Sequence, residues 1–128
     1  MKNLASKLKE QPINGPKKFV GRLFELRDVT HKEHLKVKSY AQHVALGELY
    51  DGILSLADGF VESYQGKYGI IDISIGSINV IDYMEYVEEF AKYVEGSREI
   101  FKEDWLKNQI DEMAALIYST IYKLKFLK

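Results

Sequence analysis

All three histidines of the chain fall within thirteen residues, and two carboxylates follow them at a helical spacing. The histidines are His31, His34 and His43, and the carboxylates are Asp58 and Glu62, four residues apart. Neutral imidazole is the commonest metal ligand in proteins and suits iron, zinc, copper and nickel. Carboxylate oxygens combined with imidazoles form the ligand set of non-haem iron. These five residues are therefore the candidate metal ligands of the chain.

Each group also has a plainer interpretation. The histidines would equally serve as core or interface residues whose ring nitrogens are satisfied by hydrogen bonds. The two carboxylates, in the stretch ADGFVE, would equally form the solvent-facing stripe of an amphipathic helix. Both interpretations stay open at the level of sequence.

Two predicted helices position these residues. The first begins near Lys17 and carries the first two histidines on one face, because they are three residues apart. The second runs from Ser39 to about Gln65 without a proline, and Gly66 and Gly69 end it. It carries the third histidine near its start and both carboxylates near its end. Antiparallel packing about the turn between the two helices would bring the three imidazoles to one end of the pair.

Two further helices and a long connection complete the predicted fold. Residues 67–81, KYGIIDISIGSINVI, are rich in isoleucine, but two isolated strands would be marginal, so we expect an ordered crossover packed on the bundle. Asp82 caps a third helix that ends at Gly96, and Ser97 caps a fourth that runs to about Leu124. The fourth carries an apolar stripe that predicts core: Leu106, Ile110, Met113, Ile117, Ile121 and Leu124.

This order of elements indicates an all-α, ferritin-like four-helix bundle with a long crossover between helices 2 and 3. Residues 17–128 form the bundle domain, and residues 1–16 form a basic N-terminal segment. Residues 1–18 carry a net charge of +4 and the last six residues +3, whereas the whole chain carries −1. Basic ends on an acidic body suit contact with nucleic acid or anionic surfaces, or simply solvated termini.

Composition excludes several other classes of function. The chain of 128 residues has no cysteine, which rules out disulfides, thiolate zinc sites and cysteine nucleophiles. Its first ten residues are polar and do not form a signal peptide, and no apolar run approaches the ~20 residues of a membrane span. The expected location is the cytoplasm.

Helix geometry sharpens the metal hypothesis. His43 and Asp58 are fifteen residues apart on one helix, or ~22 Å along its axis, so they do not bind the same ion within one chain. We expect them to share an ion across a two-fold dimer in which the second helices pack antiparallel and cross near Asp51. The symmetry then generates two equivalent sites.

The stretch HKEHLKVKSYAQHVALGELYDGILSLADGFVE resembles the ferroxidase signature of the miniferritins, the DNA-protection-during-starvation (Dps) proteins. That signature has a histidine late in the first helix, a second twelve residues on, an aspartate fifteen further and a glutamate four beyond. His31, His43, Asp58 and Glu62 keep these spacings, and His34 is the alternative first histidine. The segment is also similar to small phage-encoded ferritin-like proteins with an HL–SYAQH–ALG–YD pattern. A further acidic ligand of Dps proteins is replaced here by Gly47.

The resemblance implies an iron-binding oxidoreductase, a ferroxidase that oxidises Fe(II) with peroxide or oxygen and sequesters the product. It implies one or two irons per site, with zinc as the alternative metal, and a homo-oligomer that extends from the dimer to a dodecameric shell. The other hypothesis is a non-catalytic ferritin-like bundle that acts as an interaction or virion-associated protein, as the missing acidity at Gly47 would favour. DNA binding is expected to be weak or absent, because the acidic body repels phosphates.

Overall fold

The structure is a computed structural model that describes residues 14–127 of the chain. It contains four α-helices and a short 3₁₀ helix at Arg98–Ile100. The α-helices are α1 (Asn14–Lys36), α2 (Tyr40–Tyr68), α3 (Tyr83–Ser97) and α4 (Asp104–Phe126). None of residues 14–127 is in a strand, so the all-helical prediction is confirmed. Most of the predicted basic segment of residues 1–16 lies outside the described residues.

The first helix begins earlier than its sequence indicates. It starts at Asn14 rather than near Lys17, and Pro16 lies in its first turn. Proline is tolerated there because the first backbone N–H groups of a helix have no intrahelical acceptor.

Polar caps fix the starts of α2 and α3 and a glycine fixes the end of α2; the start near Ser39, the Asp82 cap and the stop at Gly69 are as predicted. The Ser39 side chain accepts a hydrogen bond from the backbone N–H of Gln42 at 3.3 Å, and the Asp82 side chain caps α3 in the same way. Gly69 ends α2 at a φ of 93°, which an L side chain rarely adopts. Gly66 lies within the helix and does not end it.

The predicted cap of the fourth helix is wrong. Ser97 is instead the buried last residue of α3, and its hydroxyl donates to the carbonyl of Tyr93 at 2.7 Å. α4 begins only at Asp104. The reason is Phe101, whose buried ring packs 5.7 Å from that of Phe19 and turns the chain inward between the two helices.

Contacts along α1 fix the direction of its first neighbour. His34 lies beside His43, and Phe19 packs against Phe60 with ring centroids 5.4 Å apart. Residue numbers in these contacts increase along α1 from Phe19 to His34, while those of their partners on α2 decrease from Phe60 to His43. The two helices are therefore antiparallel.

The third helix is antiparallel to α1 as well. Thr30 shares a buried hydrogen bond of 2.8 Å with the hydroxyl of Tyr83, and the Arg22 guanidinium lies 4.5 Å from the ring centroid of Tyr93. Because α1 is antiparallel to both neighbours, α2 and α3 point the same way. The connection of residues 69–82 must therefore return along the length of the bundle.

The core is continuous across the four helices. The predicted stripe on α4 is confirmed, because all six of its residues are buried. Within residues 14–127, no helix has the combination of length and apolarity that a membrane span requires.

A buried carboxylate ties the end of α2 to the start of α4. Glu103 accepts a hydrogen bond from the hydroxyl of Tyr68 and pairs with the Lys67 ammonium at 2.9 Å. Burial raises the pKa of the Glu103 carboxyl, but these two donors outweigh burial and hold its pKa below the ordinary value. The pair therefore stabilises the fold at neutral pH and loses that contribution as the pH falls through the lowered pKa.

The α2–α3 connection lies directly on the backbone of α1. The carbonyl oxygen of Ser74 approaches Gly21 so closely that a Cβ there would collide with it. This contact requires glycine in the interior of a helix, where glycine is otherwise unfavourable.

We expect Gly21→Ala to lower the free energy of unfolding by about 1–3 kcal/mol, because the added methyl pushes against a backbone carbonyl. Gly59→Ala is the matched control, since a Cβ at that position of α2 meets nothing within 4 Å. It should raise stability by about 0.5–1 kcal/mol through helix propensity. Urea unfolding of both variants measures the difference. Stabilisation by both substitutions would show that the connection does not lie on α1 as described.

Candidate functional site

Two of the five predicted ligands form a reciprocal pair across the α1–α2 turn. The ring nitrogen Nδ1 of His34 lies 2.6 Å from the carbonyl oxygen of His43. In return, Nδ1 of His43 lies 2.9 Å from the carbonyl oxygen of His34. The two rings stack with centroids 3.7 Å apart and planes 21° apart. The pair therefore joins the end of α1 to the start of α2 through both side chains and both backbones.

These hydrogen bonds fix the tautomer of each neutral ring. A carbonyl oxygen only accepts, so Nδ1 of both His34 and His43 must carry the proton. The other ring nitrogen, Nε2, then holds a free lone pair. Metal-binding histidines are commonly oriented in this way, with one nitrogen donating to a carbonyl and the other facing the metal.

Gly47 makes room for the imidazole of His34. A Cβ at Gly47 would lie 3.2 Å from Cε1 and 3.4 Å from Nδ1 of that ring, which is tighter than ordinary van der Waals contact. An acidic side chain at this position would therefore have to displace the ring. The absence of a side chain at residue 47 is therefore coupled to the way His34 packs.

His31 lies one turn before the pair and has a different environment. Its ring stacks on that of Tyr50, with centroids 4.3 Å apart and planes 13° apart, and lies 6.2 Å from the ring of His34. The Arg27 guanidinium lies 5.5 Å from the Tyr50 ring centroid. The residues Arg27, Tyr50 and His31 thus form a cationic and aromatic stack beside the reciprocal pair.

The predicted carboxylates lie elsewhere on α2. Asp58 and Glu62 are both exposed, and within residues 14–127 neither forms an ion pair. Asp58 is four helical turns from His43, as its sequence position requires. No three histidine, aspartate or glutamate side chains of the described chain are grouped so that they could hold a metal ion. One chain therefore offers two imidazoles in one place and two carboxylates in another.

Sequence reasoning missed the packing roles of Gly47 and of Glu103. A signal existed for the first: an interior helical glycine costs about 1 kcal/mol relative to alanine, so it needs a packing reason. No comparable signal marked the second, because its partners Lys67 and Tyr68 are 35 residues or more away in sequence.

The tautomers are open to direct measurement. We expect long-range ¹H–¹⁵N spectra to find the neutral rings of His34 and His43 protonated at Nδ1, because each nitrogen donates to a carbonyl. Histidines in water favour the other tautomer, and His31 serves as the internal reference. A proton on Nε2 of either paired ring would contradict the reciprocal arrangement.

Comparison with known proteins yields one family. The chain matches DUF5856, described as a family of unknown function, over residues 34–124. The match begins at His34 and includes His43, Asp58 and Glu62, whereas His31 lies outside it. Searches of curated proteins and of solved structures gave no match. Because the matched range covers more than two thirds of its length, this chain belongs to the DUF5856 family.

Proposed function

We propose that this protein is a ferritin-like iron-binding protein whose metal site is completed between two chains. His34 and His43 of one chain supply imidazole nitrogens, and Asp58 and Glu62 of a second chain supply carboxylate oxygens. The observation that carries the proposal is the reciprocal hydrogen bonding, which turns Nδ1 of both histidines toward carbonyls and leaves both Nε2 atoms for a ligand.

The directions of the helices support the ferritin-like part of the proposal. α1 is antiparallel to both α2 and α3, and a long connection joins the two parallel neighbours. Bundles with one such connection are the ferritin-like class. Bundles with only short loops would instead alternate in direction from one helix to the next.

The exposed face of α2 supports the shared site. At 3.6 residues per turn, Asp58 and Glu62 lie about 60° and about 100° around the helix from His43. Asp51 lies between them in angle and is also exposed, so three carboxylates follow one side of the helix. Two such faces packed together would repel each other unless cations lie between them. A metal ion at each end of the contact would provide that neutralisation.

The chemistry expected of the site follows from its donors. Carboxylate oxygens stabilise the higher charge of Fe(III) relative to Fe(II), so they favour loss of one electron from bound iron. Hydrogen peroxide accepts two electrons and two protons to give two waters, and therefore oxidises two Fe(II) ions. With Gly47 in place of a further carboxylate, the donors suit one iron per site, and zinc would bind the same donors without redox chemistry.

A second candidate is a non-catalytic bundle that acts through protein contacts. The stacking of His34 on His43 and the tight fit of Gly47 favour it, because they give both histidines a structural role without metal. Anaerobic titration with Fe(II) separates the two candidates. Absence of stoichiometric binding to the native protein would favour the interaction module.

Mixing two inactive variants tests whether the site is shared. His43→Ala removes an imidazole and Glu62→Ala removes a carboxylate, so we expect each variant alone to lose tight Fe(II) binding while circular dichroism stays helical. A mixed dimer of the two retains one intact site, because the undamaged histidines of one chain face the undamaged carboxylates of the other. After random exchange of chains, about a quarter of the native binding should return.

The matched control is a mixture of His34→Ala with His43→Ala. Both substitutions damage the imidazole half of the site, so no arrangement of these two chains restores it. Recovery in this control, or no recovery in the first mixture, would contradict a shared site. Unchanged affinity in the single variants would place the metal elsewhere.

A further inference from the structure

The α2–α3 connection spans the bundle in an extended conformation. Its residue Ser74 lies on Gly21, and Asn79 lines a small groove together with Lys32. Eleven residues of helix separate the two positions on α1, or ~16 Å along its axis. Five residues of the connection cover the same distance, at ~3.3 Å each, which is the rise of a β-strand.

Beyond its first two residues, the backbone of this extended segment has no hydrogen-bond partner within the described chain. Near its start, the N–H of Ile71 donates to the side chain of Gln65. From residue 72 to residue 81, no hydrogen bond links the backbone to another described residue. Residues 72–81 are therefore extended, and their backbone groups form no hydrogen bond within the described chain. The Ser74 carbonyl faces α1, so the opposite edge of the segment is the one open to a partner.

Its side chains are of the types that favour a β-strand. Residues 70–81 contain six isoleucines and Val80, and β-branched residues are typical of sheets. Ile71 and Ile73 are partly buried against the helices, whereas Ile75 and Ile78 are 53% and 44% exposed. Exposed edge strands are normally protected by lysine, proline or a covering element. This segment has no lysine and no proline, and Asp72 is its single charge.

We propose that residues 70–81 pair with the same segment of a second copy of this chain as an antiparallel two-stranded ladder. The inference goes beyond the proposed function and does not rest on it. A parallel pair would place Asp72 beside the Asp72 of its partner, whereas an antiparallel pair centred on Gly76 places Asp72 opposite Val80. Antiparallel pairing therefore avoids like charges and uses one self-complementary surface.

The helices behind the segment make such a pair feasible. An isolated two-stranded ladder is marginal in water, but each strand here already packs on α1 of its own chain. The contact is distinct from the His34–His43 pair, because Gly21, on which the segment packs, and His34 lie about 140° apart around α1. It therefore forms or fails independently of the metal site.

Hydrogen–deuterium exchange at two protein concentrations tests the pairing on the full chain without metal. For a dissociation constant near 0.1 mM, mass action predicts that the amides bonded in the ladder, every second one of residues 73–79, exchange about fourfold more slowly at about 1 mM than at about 10 μM. Amides of α2 around Asp58 should not change with concentration. Exchange in residues 73–79 that is independent of concentration would overturn the proposal.

A charged variant provides the second arm. Ile75→Lys combined with Ile78→Lys should abolish the concentration dependence, because lysines on an edge oppose pairing. Phe126→Lys is the matched control, since that ring is 69% exposed on α4, and it should leave the concentration dependence intact. Loss of protection in the control, or its persistence in the double variant, would also overturn the proposal. A double variant that fails to fold leaves the native measurement to decide.

Discussion

The reciprocal hydrogen bonds between His34 and His43 fix the α1–α2 hairpin, and the other helices pack on that hairpin. Each ring bonds the backbone of the other residue, so neither helix can slide along the other without breaking both contacts. Each hydrogen bond of this kind makes a net contribution of about 1 kcal/mol to the free energy of unfolding. Leaving a partly buried donor unpaired costs more. Loss of either ring therefore lowers the stability of the hairpin without unfolding the helices.

The same register determines the direction of the remaining chain. With α1 and α2 antiparallel, the contacts of Thr30 and Arg22 hold α3 antiparallel to α1 as well. The connection must then return along the bundle, and Gly21 lets it lie directly on α1. This requirement stretches residues 70–81 into an extended conformation and leaves the backbone edge that faces away from α1 without a partner in the described chain. The surface available for a second chain is thus a consequence of the topology.

The number and order of the helices could be predicted, because their apolar periodicity and polar caps are local signals. The Ser39 and Asp82 caps and the stop at Gly69 are read from a few neighbouring residues. The boundary at Ser97 could not be predicted, because it depends on the packing of the Phe101 ring against rings from α1 and α2. The positions of the histidines in the sequence also predicted correctly that the three imidazoles lie near one another. Only the three-dimensional packing distinguishes His34, which pairs with His43, from His31, which stacks on Tyr50.

Native mass spectrometry after anaerobic addition of Fe(II) tests the shared site most directly, because it reports assembly and metal content in one spectrum. A site built from two imidazoles of one chain and two carboxylates of another predicts that iron is bound only to dimers, or multiples of dimers, of the 14.8 kDa chain. The expected loading is one iron per chain, with the monomer free of metal. Iron bound stoichiometrically to the monomer, or dimers that carry none, would contradict a site completed between chains.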